Sequence, residues 1–163
     1  MIEYLQRTRD YYGAQGYAPY TWAHHEDVPF AQPAKTLADS RVVLITTAAP
    51  YQAELGDQGP GAAYNAKAKF FTVFRTPIEP PPDLRISHIG YDRKHCAADD
   101  ARTWLPIEAL QHLVANGVVG DIAPELIGIP TNRSQRITNE QDAPQAWEIA
   151  QSLQADVALL VPT

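Results

Sequence analysis

Two short segments of almost uninterrupted apolar residues constrain the fold more than any other feature of the sequence. They are 41–47, RVVLITT, and 156–161, DVALLV. Continuous apolar runs of this length, without alternation, are typical of strands that are covered on both faces. Such strands belong to parallel sheets, which need helices on their faces. The two segments therefore predict an α/β protein rather than an antiparallel sheet with one solvent-exposed face.

Helical patterns lie between the strand patterns. Residues 106–117 carry apolar residues at helical spacing between a proline and a glycine, which suit the two ends of a helix. Asp142 is a predicted N-cap of a further helix. The apolar face of that helix is predicted to consist of Ala146, Trp147, Ala150 and Leu153. A loose amphipathic pattern over 2–13, followed by Gly13 and Gly16, predicts a surface helix near the start of the chain.

Further strands are predicted over 69–74 and 84–89, and the polar stretch 130–142 is predicted to be a loop. Together the patterns predict a single α/β domain over 1–163, with a mainly parallel sheet and helices on both faces in three layers. An all-apolar strand at a sheet edge exposes unpaired backbone. Residues 156–161 are therefore expected in the interior of the sheet, between two strands.

Composition excludes several classes of function. Thirteen Lys and Arg against nineteen Asp and Glu give a net charge of -6, which disfavours binding to nucleic acid. No run approaches the roughly 20 apolar residues needed to span a membrane. Cys96 is the only cysteine, and the first residues lack the apolar core of a signal peptide. We expect a cytoplasmic protein without a membrane or nucleic-acid partner.

In open α/β sheets, ligands bind beyond the carboxyl ends of the strands. Thr46 and Thr47 follow the first apolar strand, the polar segment 87–100 follows the predicted strand 84–89, and Thr163 follows the last strand. The sequence stops two residues after Val161 with no polar tail, which we interpret as an interruption of a longer chain. We expect Thr163 to emerge beside Thr47 and His88.

The segment 87–100 offers alternative chemistries. His88 and Asp92 can form an acid/base pair in which the carboxylate fixes the imidazole tautomer. Alternatively, His88 only hydrogen-bonds backbone groups at the end of a strand, and Asp92 only caps a turn. With His95 they can instead ligate a metal in a hydrolase, although no recognised ligand spacing is matched. Cys96 is either activated by its basic neighbours or an incidental thiol.

The segment 16–33 is dense in tyrosine, tryptophan, histidine and proline and fits no periodicity. We interpret it as an ordered loop whose aromatic part, Tyr17 to Phe30, can dock on a partner. This interpretation leads to a second functional hypothesis, a partner-binding subunit without catalytic activity.

Several strings between residues 84 and 124 resemble the selenoprotein B family of glycine, sarcosine, betaine and D-proline reductases. They are ISHIGYD at 86–92, AADD at 97–100, LPIEAL at 105–110 and NGVVGDIAP at 116–124. Weaker matches lie within 16–30 and 42–47. In that family a strand similar to 156–161 leads directly into a selenocysteine or cysteine.

The resemblance implies a subunit that helps to cleave the C–N bond of a small amine substrate by dithiol and selenol chemistry, together with other reductase subunits. It implies a nucleophile directly after Thr163, proton transfer by His88 and Asp92, and substrate contacts from Thr46, Thr47 and Tyr91. No cofactor or metal is expected in this chain, and a pyruvoyl group is implied on a partner subunit. Without the nucleophile, the 163-residue form is expected to be inactive.

Three explanations account for the position of the last residue. A UGA codon for selenocysteine can have been read as a stop, the chain can be a short paralogue, or it can be a fragment. The codon after Thr163 distinguishes the first explanation from the other two.

Overall fold

A computed structural model describes residues 3–19, 21–59, 62–86, 91, 95, 98–131 and 134–163. The chain divides into two compact units, Met1–Ala31 and Gln32–Thr163. The single domain predicted for 1–163 stays a prediction.

The first unit contains helix α1, Glu3–Ala14. Gly16 follows the helix with a φ of +79°, a left-handed conformation that glycine adopts without strain. This confirms the predicted surface helix. Residues 17–19 and 21–31 form no helix or strand and are exposed.

The second unit contains the sheet and the remaining helices. The strands are β1 Arg41–Thr46, β2 Ala49–Pro50, β3 Phe74–Pro77, β4 Leu84–Arg85, β5 Asp121–Ile122, β6 Glu125–Gly128 and β7 Val157–Val161. The α-helices are α2 Ile107–Ala115, α3 Gln135–Ile137 and α4 Ala143–Ser152. None of the helices in the described ranges combines the length and apolar character needed to cross a membrane.

Strand β1 is the centre of the sheet. It pairs in parallel with β5 and β6 on one side and with β7 on the other, and β3 joins β6 in antiparallel orientation. Strands β2 and β4 form a separate antiparallel pair. The mostly parallel sheet with its helices confirms the predicted α/β class.

The prediction that the last strand lies inside the sheet is wrong for the described residues. Within them β7 pairs only with β1, from Val42 opposite Val157 to Thr46 opposite Val161. Leu159 and Leu160 are 38% and 63% exposed. Strands β5 and β6 share the other side of β1, so β7 is left at the edge. An apolar sequence thus identified the strand but not its place in the sheet.

Other boundaries differ from the predicted ones. The strand predicted over 69–74 begins only at Phe74, and the strand predicted over 84–89 is described only as β4, since 87–89 lie outside the described residues. Residues 135–142, predicted to be loop, form α3 and a π-helical turn. Asp142 is buried within that turn, and its side chain makes no capping hydrogen bond to α4. Asp142 thus occupies the predicted N-cap position of α4 but does not cap it, because the helical backbone already continues through this residue.

The side chains of alternate residues of β1 pack in two different core clusters. Val42 and Leu44 pack in one cluster with Ile107 and Leu110 of α2. Val43 packs in the other cluster, which includes two alanines of α4. The apolar face predicted for α4 is buried at Ala146, Ala150 and Leu153, but Trp147 is 65% exposed. The prediction for Trp147 is therefore wrong, because only the other three positions face the core.

Gly128 permits the close approach of the edge strand β3. It lies opposite Phe74, and a Cβ atom at this position would overlap the Phe74 ring. Phe74 is also held by an edge-to-face contact with Phe70, with ring centroids 5.5 Å apart. The ring therefore has little freedom to move away.

We predict that Gly128→Ala destabilises the protein by about 1–3 kcal/mol, because the added methyl group forces the ring or the strand to shift. Denaturant unfolding measures the change. Gly13→Ala is the control, since nothing lies within 4 Å of its Cβ position. In the Gly128→Ala background, Phe74→Leu should recover part of the lost free energy of unfolding. A double variant that is no more stable than Gly128→Ala alone would contradict the explanation.

An ion pair fixes the amino ends of β1 and β7. Asp156 accepts hydrogen bonds from Lys35 Nζ at 2.8 Å and from the Arg41 backbone N–H at 2.9 Å. Both bonds stabilise the carboxylate, and with the nearby positive charges they hold the pKa of Asp156 below its usual value. Arg41 in turn binds Asp121 at the start of β5, at 2.8 Å.

We predict that Asp156→Asn lowers the unfolding temperature at neutral pH but has little effect in strong acid. The folded-state pKa is below the unfolded one, so the stabilisation is present above the unfolded pKa and is lost as the pH falls through the folded pKa. Thermal unfolding at a series of pH values from neutral to acid measures the difference in unfolding temperature between the variant and the unchanged chain. Asp99→Asn, an exposed carboxylate, is the control, and a difference independent of pH would contradict the assignment.

Candidate functional site

The parallel strands β1, β6 and β7 end at the same edge of the sheet. Thr46 lies opposite Gly128 of β6 and opposite Val161 of β7. The residues that follow each strand therefore meet here, as the general rule for open α/β sheets requires. We call this place the carboxyl edge, formed by Thr46–Ala48, Ile129 and Pro162–Thr163.

Thr47 and Thr163 are joined at the carboxyl edge. The Thr163 backbone N–H donates to Thr47 Oγ1 at 2.7 Å. Thr47 Oγ1 also lies 3.2 Å from the Thr163 carbonyl oxygen and 3.1 Å from Thr163 Oγ1, so its hydrogen can be donated to either. Both residues are half-buried. This geometry confirms the prediction that Thr163 emerges beside Thr47.

Thr46 shapes the turn that leaves β1. It is 1% exposed, and its Oγ1 accepts a hydrogen bond from the Ala48 backbone N–H at 3.1 Å. Its carbonyl oxygen accepts from the Ile129 N–H at 2.9 Å. The structure thus gives Thr46 a structural role at this edge, and the predicted substrate contact stays a prediction.

The remaining predicted site residues lie mostly in parts of the chain that the structure does not describe. His88, Asp92 and Cys96 are outside the described residues. Tyr91 is half-buried and His95 is exposed in a turn. Among the described residues, no group of three or more histidine, cysteine or acidic side chains is placed to hold a metal.

The helix ends do not add a free positive charge to the carboxyl edge. The helical backbone continues from α3 through the π-helical turn into α4, so α4 has no free N-terminus. Helix α2 carries Glu108 in its first turn, which offsets the partial positive charge of its N-terminus. The contacts described at the carboxyl edge are therefore neutral hydrogen bonds.

Trp104 is a feature of this region that the sequence analysis missed. It lies just before α2, is 5% exposed, and packs in the core cluster that contains Val42 and Leu44. Its indole N–H is buried and has no hydrogen-bond partner among the residues that the structure describes. A buried donor without an acceptor costs about 1–3 kcal/mol. The only sequence signal was a tryptophan directly before the Leu-Pro pair that begins the helix.

An apolar groove lies between α4 and the adjoining face of β1 and β7. Its volume is about 250 Å³. Val43, Ile129, Trp147, Ala158 and Leu160 are among the residues that line it. It is separate from the Thr47 and Thr163 pair and offers apolar contacts rather than reactive groups.

The comparisons with known proteins do not extend this description. No family model matches the chain, and no curated protein or solved structure shows significant similarity to it. The function is therefore argued from the residues and their geometry.

We predict that Thr47→Val releases residues 162–163 without unfolding the sheet. The valine keeps the shape of threonine but removes the hydroxyl that holds Thr163, a loss of about 1 kcal/mol for a hydrogen bond. Amide hydrogen exchange at Thr163 should accelerate. Thr47→Ser, which keeps the hydroxyl, should retain slow exchange, and equal exchange in both variants would show that the hydroxyl does not anchor the segment.

Proposed function

We propose that this chain belongs to a selenoprotein-B-like subunit of a reductase that cleaves the C–N bond of glycine, sarcosine, betaine or D-proline-type substrates. We also propose that a selenocysteine or cysteine follows Thr163 in a longer reading frame. The observation that carries the proposal is the hydrogen-bonded pair of Thr47 and Thr163 at the carboxyl edge. This pair supports the proposal because it holds Thr163 at the carboxyl edge, where the next residue of the chain would begin.

The local chemistry suits an anionic nucleophile. In the described part of the chain, the side chain that contacts Thr163 is the neutral hydroxyl of Thr47. Hydroxyl donors stabilise a thiolate or selenolate through hydrogen bonds to the charged form. A low-pKa nucleophile at this position would thus be ionised near neutral pH.

In the proposed reaction, the nucleophile attacks the α-carbon of the substrate. A bond from selenium or sulfur to carbon forms as the C–N bond breaks, and the amine departs with the electron pair. The leaving amine needs a proton, which we assign to His88 oriented by Asp92. An external dithiol then supplies two electrons that break the selenium–carbon or sulfur–carbon bond: the dithiol becomes a disulfide, the carbon takes up a proton and the nucleophile is released. Thr46, Thr47 and Tyr91 are the proposed substrate contacts, and a pyruvoyl group on another subunit can hold amines through a Schiff base.

We infer a three-layer arrangement for the second unit and a cytoplasmic location for the protein. The two core clusters on alternate residues of β1 support the layers, because one contains α2 and the other contains α4. The location rests on the lone Cys96, which leaves no second cysteine in this sequence for a disulfide. An easily oxidised nucleophile is also better preserved in a reducing compartment.

A second candidate function is a partner-binding subunit without catalysis. It is favoured by the exposure of the aromatic segment, where Val28 and Phe30 are 79% and 87% exposed. The metal-dependent hydrolase considered for His88, Asp92 and His95 stays a prediction, because His88 and Asp92 lie outside the described residues. The reductase hypothesis is preferred because it also accounts for the geometry of Thr163.

The next codons of the source DNA test the reductase proposal directly. We predict UGA or a cysteine codon after Thr163, followed in frame by Pro-x-Cys-His. A chain extended through this motif, produced with selenocysteine or cysteine, should form a covalent adduct with an alkylating reagent at the new residue. With the partner subunits it should reduce one of the named substrates when a dithiol is supplied.

The 163-residue chain is the matched control and should remain inactive in the same assay. A different codon after Thr163, or a UGA without Pro-x-Cys-His, would refute the proposal. His88→Gln in the extended chain should slow the release of amine while leaving alkylation of the nucleophile intact. A stable complex with the partner subunits but no activity would favour the second candidate.

A further inference from the structure

The outer edge of β7 presents backbone groups that no described strand pairs. Thr46 of β1 lies opposite Val161, and Pro162 has no N–H to donate, so this parallel pair is joined through the N–H and C=O of Val161, which face β1. Backbone groups alternate in direction along a strand, so those of Val157 and Leu159 face β1 as well. The N–H and C=O groups of Ala158 and Leu160 therefore face outward.

This edge lacks the features that usually prevent edge strands from pairing. Charged residues, proline or a bulge normally protect an exposed edge. The five residues of β7 contain no charge and no proline, and they pair with β1 in unbroken register. Asp156, the nearest charge, is held by Lys35 and the Arg41 backbone. The edge is therefore available for pairing.

We propose that a second copy of this chain pairs with the edge, in antiparallel orientation about a two-fold axis at Leu159. This register places Leu159 opposite Leu159 of the partner subunit and Ala158 opposite Leu160 of the partner subunit. Ala158 and Leu160 are the residues whose backbone groups face outward, so each of these pairs can exchange two hydrogen bonds. The register satisfies all four outward groups of each strand, as a self-complementary two-fold interface requires.

The side chains fit the same register. Ala158 and Leu160 line the apolar groove beside Trp147, and the two-fold axis places Ala158 opposite Leu160 of the partner subunit. A small residue thus faces a large one on each side of the axis. The contact also covers part of Trp147 and Leu160, which are 65% and 63% exposed.

The charges permit the pairing. The two-fold axis places Asp156 opposite Pro162 of the partner subunit, so no like charges lie directly across from each other. The Lys35 partner of Asp156 further reduces repulsion between the two copies at this end. In a longer chain, a segment that follows Thr163 can instead pair with this edge. The experiments below distinguish this occupant from a second copy of the chain.

Sedimentation of the 163-residue chain over a range of concentrations tests the proposal. We expect a monomer–dimer equilibrium, and Leu159→Lys should raise the dissociation constant at least about tenfold, because it places two like charges face to face on the axis. Leu113→Lys is the matched control, since Leu113 is 40% exposed and lies in α2. Mixing Leu159→Lys with Leu159→Glu should restore the dimer.

Disulfide trapping provides a second readout that does not depend on a charged variant folding. The two copies of Leu159 form a non-hydrogen-bonded antiparallel pair, whose Cα atoms lie about 4.5 Å apart, within the range of a disulfide. In a Cys96→Ser background, Leu159→Cys should therefore cross-link on mild oxidation, whereas Leu113→Cys should not. A chain that stays monomeric at all concentrations, or a dimer unaffected by Leu159→Lys, would overturn the proposal. A monomer that gains stability when extended past Thr163 would favour the rival occupant.

Discussion

The parallel pairing of β1 with its neighbours is the constraint on which the second unit depends. Val43 and Leu44 are at most 1% exposed, so their backbone polar groups need partners within the protein. Strand β7 supplies these partners along one side of β1, while β5 and β6 divide the other side between them. Both core clusters are then assembled on the alternate side chains of this one strand.

The two ends of β1 are held by different kinds of interaction, which bears on function. At the amino end, Arg41 and Lys35 bind Asp121 and Asp156 in ion pairs. At the carboxyl end, the contacts described for Thr46 and Thr47 are neutral hydrogen bonds. Hydroxyl groups can donate hydrogen bonds to an anion, which would lower the pKa of a nucleophile proposed for this end. The ion pairs described for β1 thus lie at the end of the strand away from the proposed nucleophile.

Strand β7 connects the proposed chemistry with the proposed association. It leads directly to Thr163, and its outer side is open in the described part of the chain. Whatever covers this side also limits the motion of Thr163, since the strand and the residue are continuous. Association and nucleophile position are therefore coupled through the same five residues, although each rests on its own observation.

The sequence by itself determined the α/β class, the two apolar strands, the main helices and the proximity of Thr47 and Thr163. These follow from local patterns, because a continuous apolar run needs two covered faces and the ends of parallel strands share one edge. Only the tertiary structure decided that β7 lies at the edge, that Trp147 is exposed and that Asp142 is buried inside a helical turn. Those properties depend on which elements pack side by side, and the residues of one element do not specify its neighbours. The tertiary structure also revealed the buried indole N–H of Trp104, since hydrogen-bond satisfaction depends on atoms brought together from distant parts of the chain.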